Sequence, residues 1–301
     1  MTSPPFFSIV IPVYNRSAIL LNTLFTILKQ SFEDFEIIIV DDGSAENLES
    51  VLAVFLNQEP RIKLIKQENK ERGAARNTGY KNSSGNYVVF FDSDDLMHTN
   101  HLKIIHEKIV ELGLPNFIAT KYNFVNTNGK HFNSSMHGLK QGYYDYTLFL
   151  NGNPLACNIC LKKENPNLFL FEEDRRYAIK EDWMFMLQNL KEQKLFIIDK
   201  VTISMFDHSL RSMRSNNGQI IKKTQLALEW IRLNIKLSPE EIKIVEAHVN
   251  YFCGIHSYLD DNRKAGVEYS KMAIKSGGFK IKYFLLLLKI LIGRNVISKI
   301  K

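Results

Sequence analysis

The sequence predicts an α/β protein with a mostly parallel sheet flanked by helices, followed by an all-helical C-terminal region. The first observation is that short apolar runs, such as FSIVIPV and FEIIIV, alternate with helical patterns over the first hundred residues. The second is that polar clusters stand where three of these runs end. The third is that the pattern becomes helical throughout from about residue 217.

The N-terminal elements follow from these patterns. Apolar, β-branched runs predict buried strands at residues 7–13 and 35–40. A short third strand is expected at residues 62–65 and a fourth at 87–91. Helical spacing and breaker residues predict helices at residues 18–29, 48–56 and 73–82. Ser17 is the expected N-cap of the first helix. Such alternation builds a parallel sheet, whose ligands bind outside the carboxyl ends of the strands.

The later elements are less regular up to about residue 215. Glu181-Asp182-Trp183 begins a helical stretch to about residue 191, and residues 195–198 resemble another strand. Amphipathic helices are expected at residues 226–235, 238–258 and 264–275, the last ended by Gly277-Gly278. We therefore expect a domain over residues 1–215 and a helical region over 216–301.

Composition bounds the class of protein. With 45% hydrophobic and 24% charged residues in a 301-residue chain, a disordered, collagen-like or many-span membrane protein is excluded. The net charge of +7 favours acidic partners such as nucleotides, nucleic acid or an anionic membrane. Three cysteines argue against a disulfide scaffold, and no signal peptide is expected, so the cytoplasm is the expected compartment. Cys157 and Cys160 are expected to be ordinary buried thiols, because a zinc site needs more ligands.

Two acidic clusters follow predicted strands. Asp92-Ser93-Asp94-Asp95 suits a divalent cation, since Mg²⁺ and Mn²⁺ bind one or two carboxylates together with phosphate oxygens and water. The alternative is a solvated turn that caps the next helix. Asp41-Asp42-Gly43-Ser44 also has two interpretations. One is a carboxylate that accepts an N–H from a nucleotide base, and the other is an N-cap of the next helix.

Five segments, in order and spacing, resemble the family 2 glycosyltransferases of the GT-A fold. They are IVIPVYN at 9–15, IVDDGS at 39–44, RGAARNTG at 72–79, FFDSDD at 90–95 and EDW at 181–183. The close resemblance covers about residues 6–100 and continues more loosely to about 215. It implies inverting transfer of a sugar from a nucleotide diphosphate donor, usually uridine-linked, with a divalent metal, either Mn²⁺ or Mg²⁺.

The resemblance also implies roles for individual residues in nucleotide binding. Pro12 and Tyr14 match the residues that pack on the base, and Asn15 completes their motif. Asp42 matches the acid that accepts the imino N–H of the base, and Asp41 precedes it. The remaining matches are Asp92, which leans toward ribose and metal, and the pair that shapes the nucleotide pocket, Arg76 and Asn77.

The catalytic and metal-binding matches lie further along the chain. Asp94 matches the metal-binding acid, and Asp95 is the extra acid beside it. Asp182, next to Glu181, matches the catalytic base, which takes the proton of the attacking hydroxyl; such a group is worth about 10²–10⁴-fold in rate. His208 lies in a segment similar to a loop that closes over the diphosphate in the family, and it is a candidate metal ligand. Nearby Arg211 and Arg214 are candidates for binding phosphate. These three residues also fit a basic surface loop.

The C-terminal tail is apolar and basic at once. In FKIKYFLLLLKILIGRNVISKIK the apolar run is too short to span a membrane, but it suits an interfacial helix at an anionic lipid surface. The alternative is a core helix whose lysines face water. The resemblance implies a glycan or lipid-linked acceptor, because many members of the family glycosylate lipid-linked acceptors at the inner leaflet. Together with the tail, it leads us to expect a peripheral position at the inner face of the cell membrane.

Two other functions compete with sugar transfer. A sugar-nucleotide nucleotidyltransferase would carry a Gly-rich phosphate loop after the first strand, which PVYNRS lacks. A nucleotide-binding or nucleic-acid-binding module without enzymatic activity would interleave basic and aromatic residues on one face. The basic excess is instead concentrated after about residue 190, so no nucleic acid is expected as a partner.

Overall fold

The computed structural model describes residues 3–207 and 216–293. The chain divides into two compact units. The first unit comprises the described residues of Met1–Tyr146, Pro154–Arg175 and Asn189–His208. The second unit comprises those of Thr147–Asn153, Arg176–Gln188 and Ser209–Lys301.

The first unit is built on one mixed sheet. Its strands are β1 (Phe7–Val13), β2 (Phe35–Asp42), β3 (Ile62–Gln67), β4 (Tyr87–Phe90), β5 (Asp95–Met97), β6 (Phe117–Asn126), β7 (His131–Asn133), β8 (Gly142–Tyr144), β9 (Ile159–Lys162) and β10 (Leu195–Asp207). The main path runs β3-β2-β1-β4-β9-β6-β10-β5, with β7 paired to β6 and β8 to β10. The pairs among β1 to β4 and the pair β6–β10 are parallel, while β9, β5, β7 and β8 pair antiparallel.

The parallel part of the sheet is the core of this unit. Every residue of β2 is buried, and so is every residue of β1 except Pro12, which is intermediate. Strands covered on both faces read as continuous apolar runs, which is why the sequence reveals them. The helices of this unit are α1 (Ser17–Leu28), α2 (Leu48–Gln58), α3 (Glu71–Lys81) and α4 (His101–Glu111). This mostly parallel sheet with flanking helices confirms the predicted fold class.

Gly79 lets α3 lie close against β1. A Cβ atom at Gly79 would stand 2.2 Å from Cγ1 of Val10, a fully buried side chain. Gly79→Ala is therefore expected to lower the free energy of unfolding by about 1–3 kcal/mol through overpacking. Helix propensity alone would raise the free energy of unfolding by up to about 1 kcal/mol. The sign of the measured change therefore distinguishes overpacking from helix propensity.

Urea denaturation is the measurement for Gly79→Ala, with Gly138→Ala as the matched control. No atom lies within 4 Å of a Cβ built at Gly138, and its φ is not positive. We expect Gly138→Ala to leave stability within about 0.5 kcal/mol of wild type. Equal stability of the two variants would show that α3 does not approach β1 this closely.

The second unit is mainly helical. It contains the start of α5 (Glu181–Leu190), then α6 (Asn217–Asn234), α7 (Pro239–Leu259), α8 (Arg263–Gly277) and α9 (Ile281–Ile292). A capping box between Ser238 and Glu241 begins α7. Gly278, at φ 68°, is the C-cap of α8, as predicted. Among the described residues, no helix has the length and apolarity to cross a membrane.

The structure corrects two local predictions. Ser17 is the first residue of α1 rather than its N-cap; the N-cap is Arg16, which makes no side-chain cap bond. The Ser17 N–H donates instead to Glu46 Oε2 at 3.1 Å. The second correction concerns α6, which begins at Asn217 behind an Asn216 cap, nine residues before the predicted start at 226.

Candidate active site

Asn15 joins the ends of β1 and β2 at one edge of the sheet. Its backbone N–H donates to Ser44 Oγ at 3.0 Å, and its Oδ1 accepts the Ala45 N–H at 2.8 Å. Its φ of 51° lies in the left-handed region, which Asn tolerates better than most residues. The backbone and side chain of Asn15 therefore tie the first two predicted polar clusters together.

Two arginines hold the carboxylates that follow β4. Arg76, on α3 and only 2% exposed, donates from Nη2 to Asp92 Oδ1 at 2.7 Å. Arg16 donates from Nη1 to Asp94 Oδ2 at 2.8 Å. Both pairs are partly buried, so water screens their charges less than it would on the open surface. Asp92 and Asp94 thus belong to an ordered, ion-paired turn rather than to a solvated one.

Helix α1 fixes the backbone of the same turn. Thr23 Oγ1 lies 2.9 Å from the carbonyl oxygens of both Ser93 and Asp95, so the buried hydroxyl proton is shared between them. Asp95 itself is 1% exposed and begins β5, where it pairs with Met205 of β10. Asp95 is therefore part of the sheet, while Asp92 and Asp94 belong to the edge.

Asp41 and Asp42 do not cap α2. The cap of that helix is Asn47, whose side chain accepts the Ser50 N–H at 3.2 Å. Asp41 Oδ1 accepts the Ser44 N–H at 2.9 Å and so closes the turn. Asp42 Oδ1 accepts from Gln67 Nε2 at 2.7 Å and from the Lys70 N–H at 2.8 Å. The helix-cap alternative for this cluster is wrong.

The remaining predicted nucleotide residues fall into two groups. Tyr14 is 50% exposed and Pro12 is partly buried, so both line the open edge at the end of β1. Asn77 is buried and faces elsewhere: its amide donates to Phe171 O and Glu173 Oε1, both at 2.8 Å, and accepts the Phe171 N–H at 3.0 Å. It anchors the 171–173 segment, whereas its neighbour Arg76 holds a carboxylate.

Asp92 and Asp94 offer oxygen ligands suited to a hard divalent cation. The described residues contain no group of three or more His, Cys, Asp and Glu side chains placed to hold a metal ion. Mg²⁺ and Mn²⁺ bound with a nucleotide commonly use only one or two carboxylates and complete their shell with phosphate oxygens and water. The donor set at this turn therefore fits such an ion.

Asp182 lies in the second unit, in the first turn of α5. Its Oδ2 accepts from Asn153 Nδ2 at 2.9 Å, and its Oδ1 accepts the Trp183 N–H at 2.7 Å. The Trp183 indole is buried and donates to Phe149 O at 2.7 Å. Glu181 is 2% exposed, while Asp182 keeps partial exposure. The carboxylate is thus oriented by neutral donors and remains accessible.

Lys180, two residues before Asp182 in the sequence, is a buried cation. Its ammonium lies 3.7 Å from the centroid of the Phe252 ring, and the residue is 8% exposed. Burial lowers the pKa of Lys180 from 10.5 to about 8, although attraction by Asp182, Cys253 and Glu181 opposes that shift. Burial likewise lowers the pKa of His248 to about 3.

Other predicted residues contribute no geometry here. His208, Arg211 and Arg214 lie outside the described residues. Cys157 and Cys160 are buried free thiols, as expected, and burial raises the pKa of Cys160.

Three contacting residues escape the sequence analysis. Arg16 directly follows the P-x-Y-N motif, so its position was available as a signal. Gln67, at the end of β3, and Asn153 become visible only through the fold, because each reaches a residue 25 or more positions away.

Comparisons with known proteins agree on one family. The model of the family described as Glycosyl transferase family 2 matches residues 8–160. An uncharacterised glycosyltransferase of Rickettsia conorii is 29% identical over 273 residues, which cover 88% of this chain and 44% of that protein. The chain thus spans less than half of the length of that relative.

Two further comparisons carry named ligands or substrates. The Escherichia coli protein named UDP-Glc:alpha-D-GlcNAc-diphosphoundecaprenol beta-1,3-glucosyltransferase WfgD is 28% identical, over 72% of this chain and 82% of that protein. The crystal structure of Staphylococcus aureus TarS 1-349 in complex with UDP-GlcNAc superposes with a TM-score of 0.66 at 19% identity, over 90% of this chain and 81% of that chain. At this identity the likeness to TarS shows the fold alone, which is the expected GT-A fold.

Proposed function

This chain belongs to glycosyltransferase family 2, and from that premise we propose that it moves a sugar, with inversion, from a UDP-sugar to a hydroxyl of a glycan or lipid-linked acceptor. The observation that carries the proposal is the edge of the first unit. There Asn15 joins two strand ends, and arginines order the two carboxylates that follow the third. The names of WfgD and of the TarS complex support a UDP-linked donor.

We assign the uridine to the exposed face of Tyr14 and to Asp42. An aromatic ring that is half exposed at the sheet edge offers a stacking surface for a base, with Pro12 beside it. Because Gln67 and Lys70 both donate to Asp42 Oδ1, Oδ2 is the oxygen assigned to accept the imino N–H of uracil. Arg76 orients Asp92, which we assign to the ribose.

Asp94, together with Asp92, is the proposed holder of a divalent metal, Mn²⁺ or Mg²⁺. When bound, the ion would act as a Lewis acid that stabilises negative charge on the diphosphate leaving group. Arg16 now occupies Asp94 Oδ2 and would be released toward the anionic diphosphate when Asp94 changes partner. The donor is thereby oriented by side chains from the ends of three strands.

We assign Asp182 as the general base. A sugar hydroxyl attacks well only when a carboxylate takes its proton in the transition state. The Asn153 amide and the Trp183 N–H fix the orientation of this carboxylate without neutralising it. Attack from the face opposite the leaving group inverts the anomeric carbon.

Lys180→Met is expected to stabilise the protein and to lower its activity. The folded-state pKa of about 8 lies below the ordinary value of 10.5, so the folded state binds this proton more weakly than the unfolded chain. The resulting penalty is complete below pH 8 and vanishes above pH 10.5. At pH 7 we expect a gain of about 1–3 kcal/mol, measured by urea denaturation. Activity should fall because the variant loses a positive charge that interacts with Asp182.

Repeating the denaturation at pH 10 gives the check on this assignment. The stability difference between Lys180→Met and wild type should shrink there, because wild type has by then lost most of the buried charge. A difference that stays constant between pH 7 and pH 10 would mean that the substitution acts through packing instead.

The domain division and the location are also proposals. We assign donor binding to residues 1–215 and peripheral membrane contact to the helical region at 216–301, on the cytoplasmic face of the cell membrane. The acceptor named for WfgD, a diphosphoundecaprenol-linked sugar, supports a lipid-linked acceptor. Family membership favours transfer over the alternatives of a nucleotidyltransferase or a nucleic-acid-binding module.

Release of UDP from a panel of UDP-sugars tests the proposed function. The panel should contain UDP-glucose, UDP-galactose and UDP-N-acetylhexosamines, each assayed with Mn²⁺ or Mg²⁺ and with a lipid-linked acceptor mixture. We expect release from at least one donor by wild type and none by Asp94→Ala. Absence of release from every donor by wild type that binds UDP would contradict the proposal of a UDP-sugar transferase.

A further inference from the structure

Helix α9 is apolar on two opposite faces. Tyr283, Leu286 and Ile290 are buried, at the spacing of one helix face. The opposite face is apolar as well but lies open. We call it the outer stripe, and its residues are between 37% and 69% exposed: Ile281, Phe284, Leu285, Leu288, Leu291 and Ile292. A helix packed on one side only would ordinarily present polar residues on the other.

Positive charge lies along one border of the outer stripe. Lys282 and Lys289 are exposed and seven residues apart, so they lie along the same border of the stripe. Residues 263–293 contain seven Lys and Arg against a single Glu, a formal charge of +6 within a chain whose total is +7. The net positive charge of α8, α9 and their connection is therefore nearly equal to that of the whole chain.

The dimensions of α9 decide how it can meet a lipid surface. Its 12 residues span about 18 Å, against roughly 30 Å of hydrocarbon in a bilayer. Since one apolar face is already packed within the protein, the helix is suited to lying in the interface plane. Apolar side chains then reach the acyl boundary while lysines remain among the headgroups.

We propose that α9 binds an anionic phospholipid surface, with the outer stripe in the acyl boundary and Lys282 and Lys289 at the headgroup phosphates. Charge complementarity selects this occupant: a second copy of the chain would bring the same positive border against itself. The proposal makes the peripheral contact specific, and it rests on the proposed function only for placing that surface at the inner leaflet.

Co-sedimentation with vesicles tests this proposal on the full chain. The vesicles are pure phosphatidylcholine or phosphatidylcholine with phosphatidylglycerol. We expect wild type to bind the anionic vesicles at least about tenfold more tightly, and Leu288→Glu to lose at least tenfold of that affinity. Lys282→Gln with Lys289→Gln should lose about fivefold per lysine, on anionic vesicles only.

Leu233→Glu is the matched control, because Leu233 is an 85% exposed leucine on α6. It should bind vesicles as wild type does, and neither leucine variant should lower the melting temperature by more than about 2 °C. Asp94→Ala should lose transfer but keep vesicle binding, so failure of the proposed function is distinguishable from failure of this proposal.

Four results would overturn the membrane assignment. Equal binding to neutral and anionic vesicles would remove the role of the lysines, and unchanged binding by Leu288→Glu would remove that of the stripe. A melting temperature lowered by Leu288→Glu, without loss of vesicle binding, would mean that the face packs against protein. The fourth result would come from sedimentation velocity. If wild type does not bind vesicles but forms a dimer that Leu288→Glu dissociates, the stripe binds a second copy of the chain.

Discussion

Asp182→Asn should lower kcat by about 10²–10⁴-fold while leaving UDP binding unchanged. The asparagine keeps the shape of the side chain and can still accept the Trp183 N–H, but it cannot take a proton from the acceptor hydroxyl. Because Asp182 is not among the residues assigned to the uridine or the metal, the donor affinity should survive the change. Steady-state rates of UDP release, together with calorimetric UDP titration, measure the two quantities separately.

Glu192→Gln is the control for this prediction. It removes one negative charge from an exposed position just after α5, with the same change from acid to amide. Its kcat should stay within about twofold of wild type, as expected of a surface substitution. Wild-type activity in Asp182→Asn would exclude this carboxylate as the base.

Asp94→Ala should abolish the effect of Mn²⁺ on UDP binding. In wild type we expect Mn²⁺ to tighten UDP binding, because Asp94 and Asp92 would hold an ion whose positive charge would attract the diphosphate. Loss of the Asp94 carboxylate should weaken the Mn²⁺-dependent part of the UDP affinity by on the order of 100-fold. This is the upper end of the loss expected when a residue that only orients a metal ligand is removed. Titration of UDP with and without Mn²⁺ into both proteins gives this comparison, and a full Mn²⁺ effect in Asp94→Ala would contradict it.

Arg16→Gln should act in opposite directions on the two ligands. Removing the arginine takes away a cation that competes with Mn²⁺ for Asp94 Oδ2, so Mn²⁺ alone should bind more tightly. The Mn²⁺–UDP complex would lose the proposed contact between Arg16 and the diphosphate and should bind less tightly. Arg61→Gln is the matched control, since Arg61 pairs with Glu59 elsewhere in the first unit. Loss of both affinities in Arg16→Gln would mean that the arginine only supports the fold.

The fold was predictable where burial leaves a signature in the chain itself. β1 and β2 read as continuous apolar runs because both faces of a parallel sheet are covered, and Ser238 and Gly278 mark helix ends by local chemistry. The short antiparallel strands β5, β7 and β8 have three residues each, too few for any periodicity. Their partners in β6 and β10 determine them, so the sequence analysis missed them.

The candidate site divides in the same way. The positions of Asp42, Asp92 and Asp94 were predictable, because Asp42 ends β2, Asp92 and Asp94 follow β4, and the carboxyl ends of parallel strands meet at one edge of the sheet. Asn77 belongs to the same motif as Arg76, and its amide anchors residues 171–173. Arg76 reaches the same segment, since its guanidinium lies 5.4 Å from the centroid of the Phe171 ring, so only the fold reveals what the pair contacts. Asn153 reaches Asp182 across 29 positions of chain, and no local pattern encodes that contact.

The most direct test of the account is a calorimetric comparison of UDP and CDP, with Mn²⁺, in wild type and Asp42→Ala. Uracil carries an imino N–H that cytosine lacks, so an accepting carboxylate at Asp42 should favour UDP by about 10–100-fold. Asp42→Ala, checked for folding by circular dichroism, should bind both nucleotides alike. Absence of UDP binding by folded wild type, or the same UDP preference in Asp42→Ala, would contradict a uridine site at this edge of the sheet.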